Sequence, residues 1–150
     1  MLSNTCKTGI KAVIYLASKH KTDEKISVKE IADHIDASSH TVGKVLQSLV
    51  KQKVINSTKG PSGGFFINEK QLQQPIMVII NAIDGLGVFE ECGLGLANCS
   101  SGHPCPIHKE YGAPRDMMKN IFDEKKIIDL LKPVTRGSTF LVSKILKGKN

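Results

Sequence analysis

The feature that most constrains this fold is a pair of short amphipathic stretches set three residues apart and followed at once by a glycine-rich turn. Ser27 and Glu30 form a capping-box pair ahead of Ile31, Ala32 and Ile35, which predicts a helix of about two turns. Asp36, Ala37 and Ser38 supply a tight break. A further helix runs to about Gln52, with Val42, Val45, Leu46 and Leu49 on its buried stripe. Two short helices joined in this way read as a helix-turn-helix, whose second member enters the major groove of DNA. Upstream, Ile10, Val13, Ile14 and Ala17 recur at helical spacing between Lys7 and Ser18. Downstream, Val54 to Thr58 reads as a strand, KGPSGG as a turn and Phe65 to Ile67 as a returning strand. Three helices and a hairpin are the pattern of a winged helix, so the expected class is mainly α with a small β-hairpin wing.

The face that such a head would turn to DNA carries Ser38, Ser39, His40, Thr41, Lys44, Gln47, Ser48 and Lys51. These are hydrogen-bond donors and acceptors with few acids among them, as base edges and phosphates require. At the hairpin tip, Gly60, Gly63 and Gly64 permit a tight turn and close approach to a phosphate, with Ser62 between them. Lys59 adds a charge there, and phosphate neutralisation contributes salt-dependent affinity. The formal net charge of +7 agrees with a polyanionic partner.

The second half holds three of the four cysteines within fourteen residues, in the stretch CGLGLANCSSGHPCPIH. So much Gly, Ser, Asn and Pro reads as a loop able to wrap a ligand. Cys92, Cys99, Cys105 and His108 are soft-to-borderline donors that suit zinc or an iron–sulfur cluster. A disulfide would leave one of the three thiols over. Cys₃His is also a standard zinc set, which keeps structural zinc as the alternative. His103 is the second candidate for the imidazole. Cys6, on the first helix, reads as a small buried side chain, with a fourth-ligand role as the sharper option. His20, His34 and His40 are scattered and read as surface or packing residues.

No apolar run approaches the roughly 18 residues of a membrane span, and Lys7 and Lys11 interrupt the apolar patch at the start. Neither a membrane segment nor a secretory signal is expected, which implies a cytoplasmic, reducing location. No Ser/His/Asp set, paired acidic site or nucleotide loop supports catalysis, so an enzyme is not expected, nor is a small-molecule substrate.

The stretch ISVKEIADHIDASSHTVGKVLQSLVKQKVINSTKGPSGGFFI, the opening TCKTGIKAVIYLAS and the later CPIHKEYGAPRD together resemble the Rrf-type winged-helix transcriptional regulators, with their IscR-like and NsrR-like iron–sulfur branches. The resemblance implies a homodimeric regulator that binds a double-stranded DNA operator, its subunits paired by a long C-terminal helix after the cysteine loop. It also implies a 2Fe-2S cluster held by Cys92, Cys99, Cys105 and His108, since His108 stands three residues after the last cysteine as in the IscR-like branch. Six residues separate Cys92 from Cys99 where that branch has five. The NsrR-like branch takes an N-terminal aspartate as ligand, and Lys7 occupies the aligned position here. Gly43 stands where the IscR-like branch often has glutamate, so its base preference does not transfer. A zinc-stabilised or metal-free regulator, or a redox carrier, is the alternative reading.

The expected organisation is a winged-helix DNA-binding domain over 1–74 and a cysteine-loop sensor and dimerisation region over 75–150. In the latter, Pro75 suits the first turn of a helix, with Ile76, Ile79, Ile80 and Ile83 on one face until Gly85 and Gly87. After the loop a helix begins near Pro104 to Pro106, with Ile107, Tyr111, Met118, Ile121 and Phe122 as an apolar seam. Pro114 either moves that start to Ala113 or kinks the helix. KKIIDLLKP reads as another short helix, and STFLVSKILKGKN as a basic tail.

Overall fold

Helix α1 (Asn4–Ser18) begins where Ser3 caps it, the Ser3 side chain accepting from the Cys6 N–H at 3.0 Å. From Ala12 to Ala17 every residue is buried, whichever face it occupies. A helix apolar all round is stable only when covered on all sides, and α1 is covered. On one side lie α2 (Val28–Ile35) and α3 (Ser39–Lys51), on the other α5 (Met77–Ile83) and α7 (Ile127–Thr135). A Cβ at Gly9 would strike Ile83 and lie 3.0 Å from Val45, so a glycine lets α1 pass between α3 and α5. This computed structural model describes residues 1–96 and 99–135; the expected basic tail lies outside the described residues.

The helix-turn-helix forms as expected. Ser27 caps α2 by accepting from the Glu30 N–H at 3.2 Å. The Glu30 half of the expected capping box is diverted, because its carboxylate accepts instead from the Tyr15 hydroxyl at 2.8 Å. Asp36 turns the chain in the left-handed region at φ 55°, and Ser38 caps α3.

The wing is β1 (Asn56–Thr58) paired antiparallel with β2 (Gly64–Phe66), Ser57 opposite Phe65. β1 is shorter than expected and β2 is shifted one residue towards the turn: Val54 and Ile55 go into the core ahead of β1, and Ile67 does so after β2. Ile26 bridges β2 from the other edge through two hydrogen bonds with Phe65, of 2.9 and 2.8 Å. Gly64, at φ 152°, is required there, since a Cβ would sit 2.7 Å from the Ile26 carbonyl oxygen.

A helix not expected from the sequence, α4 (Glu69–Leu72), follows the wing with a complete capping box between Asn68 and Gln71. Gln71 is buried and saturated. Its oxygen accepts from Asn56 Nδ2 (2.8 Å) and the Asn68 N–H (3.0 Å), while its nitrogen donates to the Lys53 carbonyl (3.1 Å) and Asn56 Oδ1 (3.2 Å). This one amide ties the end of α3, the wing and α4 together. Pro75 falls before α5 rather than in its first turn. There the chain pairs with Lys126, the Ile76 N–H donating to the Lys125 carbonyl and the Ile127 N–H to that of Gln74.

The longest described helix is α6 (His108–Glu124), which starts after both prolines and runs through Pro114. The missing proline N–H leaves the carbonyl of exposed Glu110 to water, which makes the interruption tolerable. No residue of α6 is fully buried. Met118 and Phe122 lie against the core, whereas Met117 and Ile121 are exposed. One apolar core runs from Cys6 to Leu131, across the expected boundary at residue 74.

Two predictions follow from α1 and α4. Gln71→Leu strands the Lys53 carbonyl and the Asn56 amide and lowers folding stability by about 1–3 kcal/mol, read as a lower urea midpoint. Burial, reinforced by Asp84, pushes the Cys6 thiol up to about 12 from an ordinary value of 9.0. Burial and Glu30 likewise push the Tyr15 phenol up to about 12 from 10.0. Above pH 9 the unfolded chain releases these protons before the folded one does, so stability falls from there towards pH 12. Urea midpoints measured across that range should fall, and the double variant Cys6→Ala, Tyr15→Phe should fall less steeply.

Candidate functional site

The cysteine loop starts from a fixed base. A single 3₁₀ turn (Gly87–Phe89) follows α5, and its Phe89 is buried against Phe122 of α6, ring centroids 6.2 Å apart. Cys92 then comes in, only 6% exposed, its sulfur accepting from the Leu94 N–H at 3.5 Å. Cys99 is set by its own N–H, which donates to the Glu90 carbonyl at 3.2 Å. The far side of the loop is the start of α6, where the His108 N–H donates to the Cys105 carbonyl at 3.0 Å.

All four sequence-predicted ligands line one cavity of about 200 Å³, together with His103, Leu96, Pro104 and Pro106. Within it they stand as two pairs. Cys99 Sγ is 3.2 Å from His108 Nδ1. Cys105 and Cys92 act on each other, and the two shift in opposite directions. The Leu94 N–H chiefly holds Cys92 below the ordinary thiol value, while burial and then the Cys92 sulfur hold Cys105 above it. Among the described residues no three donors are drawn into a preformed metal-holding group, and all four cysteines are free of disulfides.

Helix α6 presents a stripe to this loop. His108, Tyr111 and Arg115 are three and then four residues apart, hence on one face. Tyr111, expected on the apolar seam of this helix, packs on the loop backbone. A Cβ at Gly93 would lie 2.8 Å from its ring. One turn on, the Arg115 side chain is 13% exposed and its Nη2 reaches Asp116 Oδ1 at 3.2 Å. Hydrogen bonding to Cys99 is the main cause that raises the guanidinium above its ordinary range. Among the described residues its Nη1 is buried without a hydrogen-bond partner. A soft donor set, a loop backbone packed on Tyr111 at Gly93 and a largely buried cation on the same face of α6 as His108 and Tyr111 fit a metal centre of net negative charge. Arg115 is the site residue that sequence reasoning misses, and its signal is the seven-residue step from His108.

Cys6 belongs to the core beside Asp84 and does not line the cavity. His20 and His34 have packing roles, as expected: His20 Nδ1 is 2.6 Å from the Ala17 carbonyl, and His34 stacks on Tyr15 at 4.0 Å.

On the head, Ser39, His40, Lys44, Gln47 and Lys51 are exposed on α3, and Lys59, Gly60 and Ser62 are exposed on the wing, with Gly63 and Gly64 half-buried. Gln47, Lys51, Lys59 and Gly64 line a cleft of about 410 Å³ between α3 and the hairpin. Two serines have prior engagements. Ser38 caps α3 and donates to Thr41 Oγ1 at 2.9 Å. Half-buried Ser48 turns from the expected DNA face, its hydroxyl donating to the Ala82 carbonyl of α5 at 3.0 Å.

Residues 2–133 match a family model described as "Rrf2: Iron-dependent Transcriptional regulator". The chain is 30% identical over 122 residues to BadM, described as an HTH-type transcriptional regulator of Rhodopseudomonas palustris, covering 80% of this chain and 69% of that one. It is 29% identical over 133 residues to another such regulator from Aquifex aeolicus, covering 87% and 91%. In fold it is similar to CymR, the global cysteine regulator of B. subtilis, with a TM-score of 0.73 and 21% identity over 88% of this chain and 96% of that one. T. potens IscR gives 0.70 and 18% over 93% and 92%.

Gly93→Ala should force Tyr111 off the loop. In chelator-treated protein we expect Cys92 to be alkylated by iodoacetamide several-fold faster than in wild type, as mass spectrometry of the peptide would read.

Proposed function

This chain belongs to the Rrf2 family of transcriptional regulators, and on that premise we propose that it binds an operator duplex as a homodimer and reports iron–sulfur, nitric-oxide or redox status through a 2Fe-2S cluster at its cysteine loop. Its relatives and fold are those of regulators and not of enzymes. The observation that carries the sensing reading is the gathering of Cys92, Cys99, Cys105 and His108 around one cavity. When bound, the cluster supplies a redox-active, oxidant-sensitive centre. The chain's own residues do the rest.

His108 opens α6, so whatever holds or releases its imbidazole acts on the first turn of that helix. Met117 and Ile121, 66% and 56% exposed on α6, are the apolar side chains we assign to the subunit contact. At the other end of the same half, the Ser48–Ala82 hydrogen bond ties α5 to α3. A ligand at the loop changes DNA affinity only if the two states of the loop favour different placements of these helices. We assign DNA contact to Ser39, His40, Thr41, Lys44, Gln47 and Lys51 with the wing residues Lys59, Gly60, Ser62, Gly63 and Gly64, and leave Ser48 out. Ser38 contributes as the cap that orients the start of α3. The work is done where the DNA is, which for a bacterial-type regulator is the cytoplasm. Among the described residues no helix is long and apolar enough to cross a membrane.

Anaerobically purified protein should carry iron and acid-labile sulfide in equal amounts, with visible charge-transfer absorption. It should bind a promoter duplex with affinity that falls steeply with salt. Lys44→Ala and Lys59→Ala, each removing one phosphate contact per subunit of the dimer, should each lower affinity and flatten the slope of log K against log salt by about 1.8. Protein that holds zinc and no iron would replace the cluster by the structural zinc of the alternative reading. A duplex affinity indifferent to salt would remove the proposed DNA face.

A further inference from the structure

The loop leaves one charged group without a stated role. Arg115 stands seven residues after His108 on the face of α6 that meets the loop, and its side chain is 13% exposed. Two nitrogens, Nε and Nη2, donate to Asp116 Oδ1 at 3.3 and 3.2 Å, while among the described residues Nη1 is buried with no acceptor. A buried guanidinium N–H without a partner is costly, which makes a missing acceptor the physical question at this position. Cys99 is half-buried and already 3.2 Å from His108, and hydrogen bonding to it is the largest cause of the raised Arg115 guanidinium. Thiolates lining one cavity repel one another, and a guanidinium beside them offsets that repulsion with directed hydrogen bonds.

Resting on the reading that the loop holds a metal centre, we propose that Arg115 is the positioning cation of that centre. It orients Cys99 and His108 and balances the negative charge of the thiolates. Metal retention and, for a cluster, the ease of reduction then depend on it. Partners of this outer kind contribute about 10–100-fold in metal affinity where they have been removed. A nearby positive charge favours the more negative, reduced form.

The test compares wild type with R115Q, R115K and D116N, all purified anaerobically, with helical content checked by circular dichroism. Iron and sulfide content, the reduction midpoint and zinc affinity by competition with a chromophoric chelator are read for each. R115Q should retain metal about tenfold less well. Its midpoint should fall by about 59 mV, a tenfold change in a one-electron equilibrium. R115K should restore the midpoint more fully than the retention, because lysine supplies the charge without the planar fork. D116N, at an exposed carboxylate, frees the guanidinium and should raise the midpoint, a result independent of whether R115Q folds well. Zinc without iron in wild type would overturn the iron–sulfur reading, and the zinc affinity of R115Q relative to wild type would then decide Arg115. Neither metal in wild type would overturn both. Equal retention and equal midpoints across the set would overturn the proposal for Arg115 alone, as would a loss in R115Q that lysine does not relieve.

Discussion

Everything in this fold depends on burying α1. Its stretch from Ala12 to Ala17 has no solvent face, so elements must close on it from both sides. The helix-turn-helix supplies one wall, while α5 and α7, from much later in the chain, supply the other. The same helix is tied at its start to the end of α5, where the Ser3 N–H and hydroxyl donate to Asp84 at 2.8 and 2.5 Å. Burying an apolar helix contributes about 25 cal/mol for each Å² removed from water. That gain is available only when the DNA-facing half and the loop-bearing half assemble together. The loop is therefore anchored to a core that the head already shares.

The head was legible in the sequence because each of its elements carries a local physical signature. Ser27 and Ser38 mark helix starts, the stripes of α2 and α3 have helical period, and the glycines of the wing tip mark the turn. What the sequence concealed is where a side chain finds its partner when several are in reach. Glu30 has the spacing of a capping residue, yet the phenol of Tyr15 takes its carboxylate, because Tyr15 is buried and its hydroxyl needs an acceptor. Ser48 sits among polar neighbours on α3 and is claimed by a carbonyl 34 residues away. Helix α4 was readable in principle from Asn68 and Gln71, three apart, but four residues give no periodicity to confirm it.

In the loop, residue type was informative and geometry was not. Clustered thiols and a close histidine pointed to Cys92, Cys99, Cys105 and His108, and all four line one cavity. Their division into a Cys92–Cys105 pair and a Cys99–His108 pair depends on how the backbone folds through glycine and proline, where local rules are weakest. The same holds for Tyr111. Its spacing fits an interhelical seam, and only the absence of a side chain at Gly93 lets its ring settle on the loop instead.

The placement of the two tyrosines has an optical consequence. The chain has no tryptophan and two tyrosines, one in the core between α1 and α2 and the other on the wall of the cysteine loop. Near-ultraviolet emission therefore comes from one chromophore in each half of the molecule. Tyr15 is read through its bond to Glu30, and Tyr111 through its distance from sulfur and from whatever quencher the loop acquires. Removing either ring leaves the other as a single-site probe, so events at the head and at the loop can be timed separately in the unlabelled protein.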